Sequence, residues 1–232
     1  MESKSLVFIV EWICVETFNM PLLVKFRKSR NVVRFIIKPI IFLVLFSGAL
    51  DLIIGILTED LGPDPHKTLL LTTGIWGLNS LMVTLAITPV SSWLNWPLLM
   101  TARRMTGLLV FFYASAHFWI FIQFILDFDW AVLLSEIIKR PYITIGFISW
   151  LLLIPLALTS TKGMVKRLGK SWKKLHKLVY LIGILAVWHF TWQVKLDLTE
   201  PAVYIVILIV LLGWRDLNDK RKKARKAAIA QS

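Results

Sequence analysis

The sequence predicts an all-α integral membrane protein, a six-helix transmembrane bundle with an additional N-terminal interfacial helix. Three observations lead there. Hydrophobic residues make up 57% of the 232-residue chain and charged residues only 18%, with a mean hydropathy of +0.70; a soluble domain is roughly 45–50% apolar and about 25% charged. The apolar residues gather in runs long enough to cross a hydrocarbon layer of ~30 Å at 1.5 Å per helical residue. The charges fall between those runs, and their sign alternates from one connection to the next. The single cysteine, Cys14, excludes an intramolecular disulfide and a cysteine-ligated iron–sulfur cluster.

Residues 1–38 form an N-terminal interfacial and basic segment. Its mildly apolar piece, residues 6–26, is broken by Glu11 and Glu16 and lacks the basic start and cleavage site of a signal peptide. Two carboxylates make it a poor span, so it is expected to lie flat in the interface instead of adding a seventh crossing. The membrane domain covers residues 39–214, with spans at about 39–57, 68–91, 105–126, 142–158, 175–194 and 201–214. The first contains Asp51, a carboxylate at a depth where it is expensive and expected to face protein. Pro63 and Pro65, among Glu59, Asp60 and Asp64, turn the chain into the second span.

Thr73-Gly74 and Gly77 give the second span a small-residue surface for close helix contact. The third carries His117 and ends at Asp127 and Asp129. The following loop, with Trp130, Leu133 and Leu134, is expected to ride at the interface. Pro141 opens the fourth span at the first-turn position that tolerates proline, and Thr159-Ser-Thr161 closes it. The fifth holds His176 and His189, one near each end. The sixth is short, ~21 Å at the helical rise. The basic tail, residues 215–232, is expected to be mobile past Lys226.

Of the 27 lysines and arginines, 23 lie in residues 1–38, 93–104, 162–177 and 215–226. The intervening loops hold Lys67, Lys139, Arg140 and Lys195 beside Glu59, Asp60, Asp64, Asp127, Asp129, Glu136, Asp197 and Glu200. Basic loops stay on the cytoplasmic side, so both ends of the six-span core are predicted cytoplasmic and the acidic loops outward. The net charge of +13 is then a topological signal that also favours anionic lipid, and it does not indicate nucleic acid. The tryptophans near span ends fit an interfacial aromatic belt.

Spans three and five run parallel, and His117 and His189 fall in the outer half of each. Two parallel helices can present one imidazole each at a common level, with a haem iron between them. Filling both axial positions suits electron transfer and disfavours oxygen binding. His176, 13 residues before His189, lies ~20 Å nearer the cytoplasm, level with Arg103 and Arg104. Arginine is a poor iron ligand but pairs well with a propionate. A second redox group is expected there, a haem, a flavin or a quinone, with His176 as ligand or hydrogen-bond donor. His66, beside prolines in an outer loop, reads as solvated. Phosphate loops, zinc spacings and nucleophilic triads find no match.

Motifs at Asp64-Pro65, Thr73-Gly74, Ile87-Thr-Pro89, Arg103-Arg104-Met-Thr-Gly107, Ser115-Ala-His117, Arg140-Pro-Tyr142, Gly146-Phe-Ile-Ser-Trp150, Leu158-Thr-Ser-Thr161, Leu168-Gly169, Trp172, Leu175-His176, Val179-Tyr180 and Val187-Trp-His189 follow in order across residues 38–214. Together they resemble the MsrQ (YedZ) family, the haem-binding membrane subunit of a methionine-sulfoxide reductase system. The resemblance implies a ferric-reductase-like transmembrane fold holding haem b, one copy with a place for a second, and FMN. It implies a multi-pass protein of the bacterial inner membrane. Its partner would be a periplasmic molybdopterin reductase, MsrP, that repairs oxidised proteins, and its donor the quinone pool or a cytosolic flavin reductase. The family's histidines match at His117, His176 and His189; where a relative has a further histidine, three residues before Gly74, this chain has Leu71.

Two other readings compete. One is a cofactor-free transporter or scaffold whose histidines relay protons or pack helices, with Asp51 and His176 as the working pair. The other is a haem protein passing electrons to ferric iron or oxygen, against which stands the lack of an appended flavin and nicotinamide domain.

Overall fold

A computed structural model of the chain describes residues 29–194 and 198–231. The predicted N-terminal interfacial helix lies outside these residues. The first helix, α1, runs over Arg30–Leu57, so the expected boundary at residue 38 falls inside a continuous helix. Pro39 explains the form of its first turns. Proline has no N–H to give the ladder, and the helix widens into a π turn at Val33–Ile37, where Lys38 N–H reaches back to Val33 O.

The second helix, α2, spans Pro65–Trp93. Asp64 caps it by accepting from Lys67 N at 3.1 Å. A 3-10 turn at Pro97–Thr101 leads into α3, Arg103–Ile120, which continues through a π turn at Phe121–Ile125. The expected interfacial loop is a helix, α4, Trp130–Lys139, capped by Asp129, which accepts from Ala131 N and Val132 N at 2.9 and 3.0 Å. Next come α5, Pro141–Leu158, and two short basic helices, α6, Lys162–Leu168, and α7, Lys170–Leu175. Gly169 joins these two at φ 50°, a backbone conformation that costs a side-chain-bearing residue energy. Helix α8 covers Leu178–Gln193 and α9 covers Thr199–Gln231.

Among the described residues, five helical stretches are long and apolar enough to cross a membrane: α1, α2, Pro97–Ile125, α5 and Lys170–Gln193. The expected sixth span, residues 201–214, is the first half of α9. The basic tail is not a detached mobile segment but the continuation of that helix to Gln231. Its alanine, lysine and arginine content favours helix, and Arg215–Asp219 and Asp216–Lys220 pair across one turn at 3.7 and 2.6 Å.

The core is shared by α2, α3, α5, α8 and α9, with Leu81, Leu85, Val110, Leu156, Ile182 and Leu208 at its centre. Large apolar residues such as Leu43, Ile54, Ile184 and Val206 face outward, as a lipid-facing surface requires. Asp51 departs from expectation. The face of α1 turned inward carries Leu45, Gly48, Ala49 and Leu52; Asp51 lies off that stripe and is exposed.

Small residues let the helices close. A Cβ on Gly48 would meet Trp76 Nε1 at 2.2 Å, so the indole lies directly on the backbone of α1. Beside it Tyr113, 1% exposed, inserts its hydroxyl into the α1 ladder. The hydroxyl donates to Leu45 O at 2.7 Å and accepts from Ala49 N at 3.1 Å. Further cross-helix bonds join Thr84 to Thr106 at 2.9 Å and Tyr204 to Asn79 at 2.8 Å. Tyr113→Phe is expected to lower the unfolding free energy in detergent by about 1 kcal/mol, the net worth of a buried hydrogen bond whose backbone partners remain within a helix. A denaturant titration of the purified variant checks this.

Candidate functional site: two stacked cavities

The cavity on the side that the charge pattern predicts to face outward, called outer on that expectation, holds about 490 Å³, in the usual range for a ligand pocket. His117 from α3 and His189 from α8 face each other across it, with ring centroids 6.2 Å apart and ring planes at 85°. Each ring is tied to a neighbouring helix. His117 Nδ1 lies 2.9 Å from Leu70 O on α2, and His189 Nδ1 lies 2.7 Å from Tyr142 O on α5. A carbonyl only accepts, so both Nδ1 atoms carry the proton and both Nε2 atoms keep a free lone pair. That is the tautomer a metal-binding imidazole needs.

The two ties are copies of one arrangement. Both bonds join residues 47 apart in the chain. One helical turn beyond each accepting carbonyl stands a glycine under the ring, Gly74 below His117 and Gly146 below His189. The second set follows the first by 72 positions throughout: 70 to 142, 74 to 146, 117 to 189. This offset is present in the sequence, but two spans with little else in common conceal it.

The cavity suits a metal-bearing macrocycle. Among the described residues no cluster of three or more His, Cys, Asp or Glu forms. A pair of opposed imidazoles without a third protein ligand suits a metal that brings its own equatorial donors. The 6.2 Å centroid separation accommodates two metal–nitrogen bonds of about 2 Å each. Aromatic groups form one wall, with Phe118 and Trp150 at 4.5 Å, and the Trp150 indole N–H is satisfied by Ser115 Oγ at 3.1 Å. Leu71 also lines the cavity; its apolar side chain cannot ligate. Arg140 stands at the mouth, paired with Glu136 at 2.7 Å and donating to Tyr142 OH at 3.3 Å.

The inner cavity, about 470 Å³, gathers Arg103, Arg104, Lys173, His176, Lys177 and Arg215, with no carboxylate in its lining. The three residues expected at the inner level therefore meet in one place. Arg103 donates to Tyr180 OH at 3.0 Å and to Thr88 Oγ1 at 3.3 Å. The Arg215 guanidinium lies 3.5 Å over the Tyr180 ring, a cation–π contact. Sequence reading assigned Arg215 to the tail; the signal that could have found it is the helix phase carrying residues 201–214 onward without a break. His176 sits in the gap between α7 and α8. It stacks on Trp172 at 4.0 Å, and its Nε2 lies 3.1 Å from Thr159 Oγ1. It faces no second histidine in this cavity, unlike the outer pair.

Leu81, Val110 and Leu153 line both cavities, so one layer of aliphatic side chains separates them. His66 is in the first turn of α2, exposed and stacked on Phe124 at 4.5 Å. Asp51 lines neither cavity.

The class defined here is a multi-pass helical membrane protein with opposed, metal-competent imidazoles in its interior. The family model described as the ferric reductase like transmembrane component matches residues 73–187. A protein of Xanthomonas oryzae pv. oryzae (strain MAFF 311018) is 48% identical over 178 residues, 75% of this chain and 82% of the relative. One from Xanthomonas campestris pv. campestris (strain B100) is 48% identical over 174 residues, 74% and 80%. One from Herminiimonas arsenicoxydans is 42% identical over 198 residues, 84% and 91%. All three are named protein-methionine-sulfoxide reductase heme-binding subunit MsrQ. The chain belongs to the MsrQ family. No solved structure matches it.

Proposed function

We propose that the protein is the haem b membrane subunit of a methionine-sulfoxide reductase system, with His117 and His189 as the axial ligands. It carries electrons across the bacterial inner membrane to a periplasmic molybdopterin reductase of the MsrP kind. The observation that supports this most is the opposed imidazole pair, each Nδ1–H tied to a carbonyl and each Nε2 free. The names of the relatives point the same way. Haem supplies a one-electron iron couple. His117 and His189 would hold it from two helices, and two protein ligands would favour electron transfer over oxygen reduction.

The inner cavity is the entry side. Arg103, Arg104, Lys173 and Arg215 supply charge-assisted donors for an anionic or oxygen-rich redox group, which covers FMN, a second haem's propionates or a quinone. His176 serves there as a hydrogen-bonding or ligating group. The quinone pool or a cytosolic flavin reductase is the donor. The thin layer of Leu81, Val110 and Leu153 keeps the two levels close while excluding water between them. Basic connections face the cytoplasm and acidic ones the periplasm, and α9 supplies the sixth crossing. The sulfoxide substrate is handled by the partner. The transporter reading loses its working pair, because Asp51 is exposed and reaches neither cavity.

The purified protein is expected to show a reduced-minus-oxidised haem b spectrum, lost in His117→Ala and in His189→Ala. Full haem retention by both variants would overturn the assignment. Arg103→Gln is expected to slow donor-driven haem reduction about tenfold, equivalent to ~1.4 kcal/mol of lost charge-assisted binding. Stopped-flow reduction by a quinol analogue and by a flavin reductase, compared with direct reduction by dithionite, measures this.

A further inference from the structure

The outer site contains a device that the ligand assignment does not require. Histidines could be held by side chains or by water; here both are held by backbone. A Cβ built on Gly74 would meet His117 Cε1 and Nδ1 at 3.2 Å each. A Cβ built on Gly146 would meet His189 Cε1 and Nδ1 at 2.9 Å each and Cγ at 3.3 Å. Each ring therefore lies against a helix backbone: a side chain at position 146 would force a shift, and one at position 74 would press the ring back by a few tenths of an ångström. Its Nδ1–H is bonded to the carbonyl one turn earlier on the same helix. A bond to one carbonyl leaves a ring free to swivel about that bond; a floor beneath the ring removes that freedom.

We propose that Gly74 with the Leu70 carbonyl, and Gly146 with the Tyr142 carbonyl, are positioning elements that set the planes of the two imidazoles. By fixing those planes they set the electronic state of a metal held between them. The two ring planes cross at 85°, each held by its own copy of this module. The angle between axial imidazole planes governs the splitting of the iron d orbitals in a low-spin ferric centre. The hydrogen bond to each Nδ1 governs ligand basicity. A methyl group at either glycine would tilt the ring off its carbonyl and change both. The contact is tighter at Gly146, so the effect is ordered, larger there than at Gly74.

The inference rests on haem ligation by His117 and His189, and the test separates the two. Wild type, Gly74→Ala, Gly146→Ala and Gly213→Ala are purified with haem. Their ferric electron paramagnetic resonance spectra, redox midpoints and haem-to-protein ratios are compared. Gly213 has nothing within 4 Å of a built Cβ and serves as the control. The expected result is a changed low-spin signal and a shifted midpoint in both cavity variants, larger for Gly146→Ala, with Gly213→Ala matching wild type. Should Gly146→Ala fail to accumulate, Gly74→Ala decides, since its ring need give only a few tenths of an ångström. Haem-loaded variants whose spectra and midpoints match wild type overturn the positioning role while leaving the ligands intact. A wild-type protein without haem overturns the ligand assignment itself.

Discussion

Two hydrogen bonds from imidazole Nδ1–H to main-chain carbonyls organise this protein. In a hydrocarbon interior a polar ring needs a partner, and here the partner is another helix's backbone. Each bond therefore joins two helices, α3 to α2 and α8 to α5. The donor at one edge of the ring leaves a lone pair at the other. The same pair of contacts thus pairs the helices and selects the tautomer of two rings that line one cavity. Glycine beneath each ring allows the approach, and Gly48 under Trp76 shows the same principle applied to packing alone.

Much of the architecture was legible because long apolar runs and charged connections are strong signals. The spans containing His117 and His189 lie where hydropathy put them, and the amphipathic loop at residues 130–139 is a helix of its own. The boundaries at residues 38 and 214 were misread for one reason. Charged residues end an apolar run, but lysine, arginine and aspartate do not end a helix, so α1 starts earlier and α9 runs on. Asp51 was expected to face protein because burial is the common way to offset a charge; phase along α1 placed it outside. Of the residues lining the two cavities, the three histidines and two arginines were singled out by their depth. Gly74, Gly146 and Arg215 could not. A glycine's contact and a cation's reach depend on which neighbouring helix lies opposite, and a single chain read linearly does not contain that.

The two cavities differ in their linings. The outer one is lined mainly by apolar side chains, with its two histidines tied to main chain and Trp150 to Ser115. The inner one is ringed by cations from three separate stretches, α3, the α7–α8 region and α9. Arg104, Lys173 and Lys177 are exposed and Arg103, His176 and Arg215 half-buried, and like charges gathered this closely repel one another. Tyr180 mitigates this by accepting from Arg103 on its hydroxyl and receiving Arg215 on its ring face.

The hydroxyl of Tyr113 has a consequence for how the chain is assembled. It bonds both Leu45 O and Ala49 N of α1, and it belongs to a residue 64 to 68 positions further along. When α1 leaves the ribosome, that tyrosine does not yet exist, so α1 enters the bilayer without this contact. The two bonds form only once the third helix has been made, so final docking of the first helix waits for the synthesis of α3.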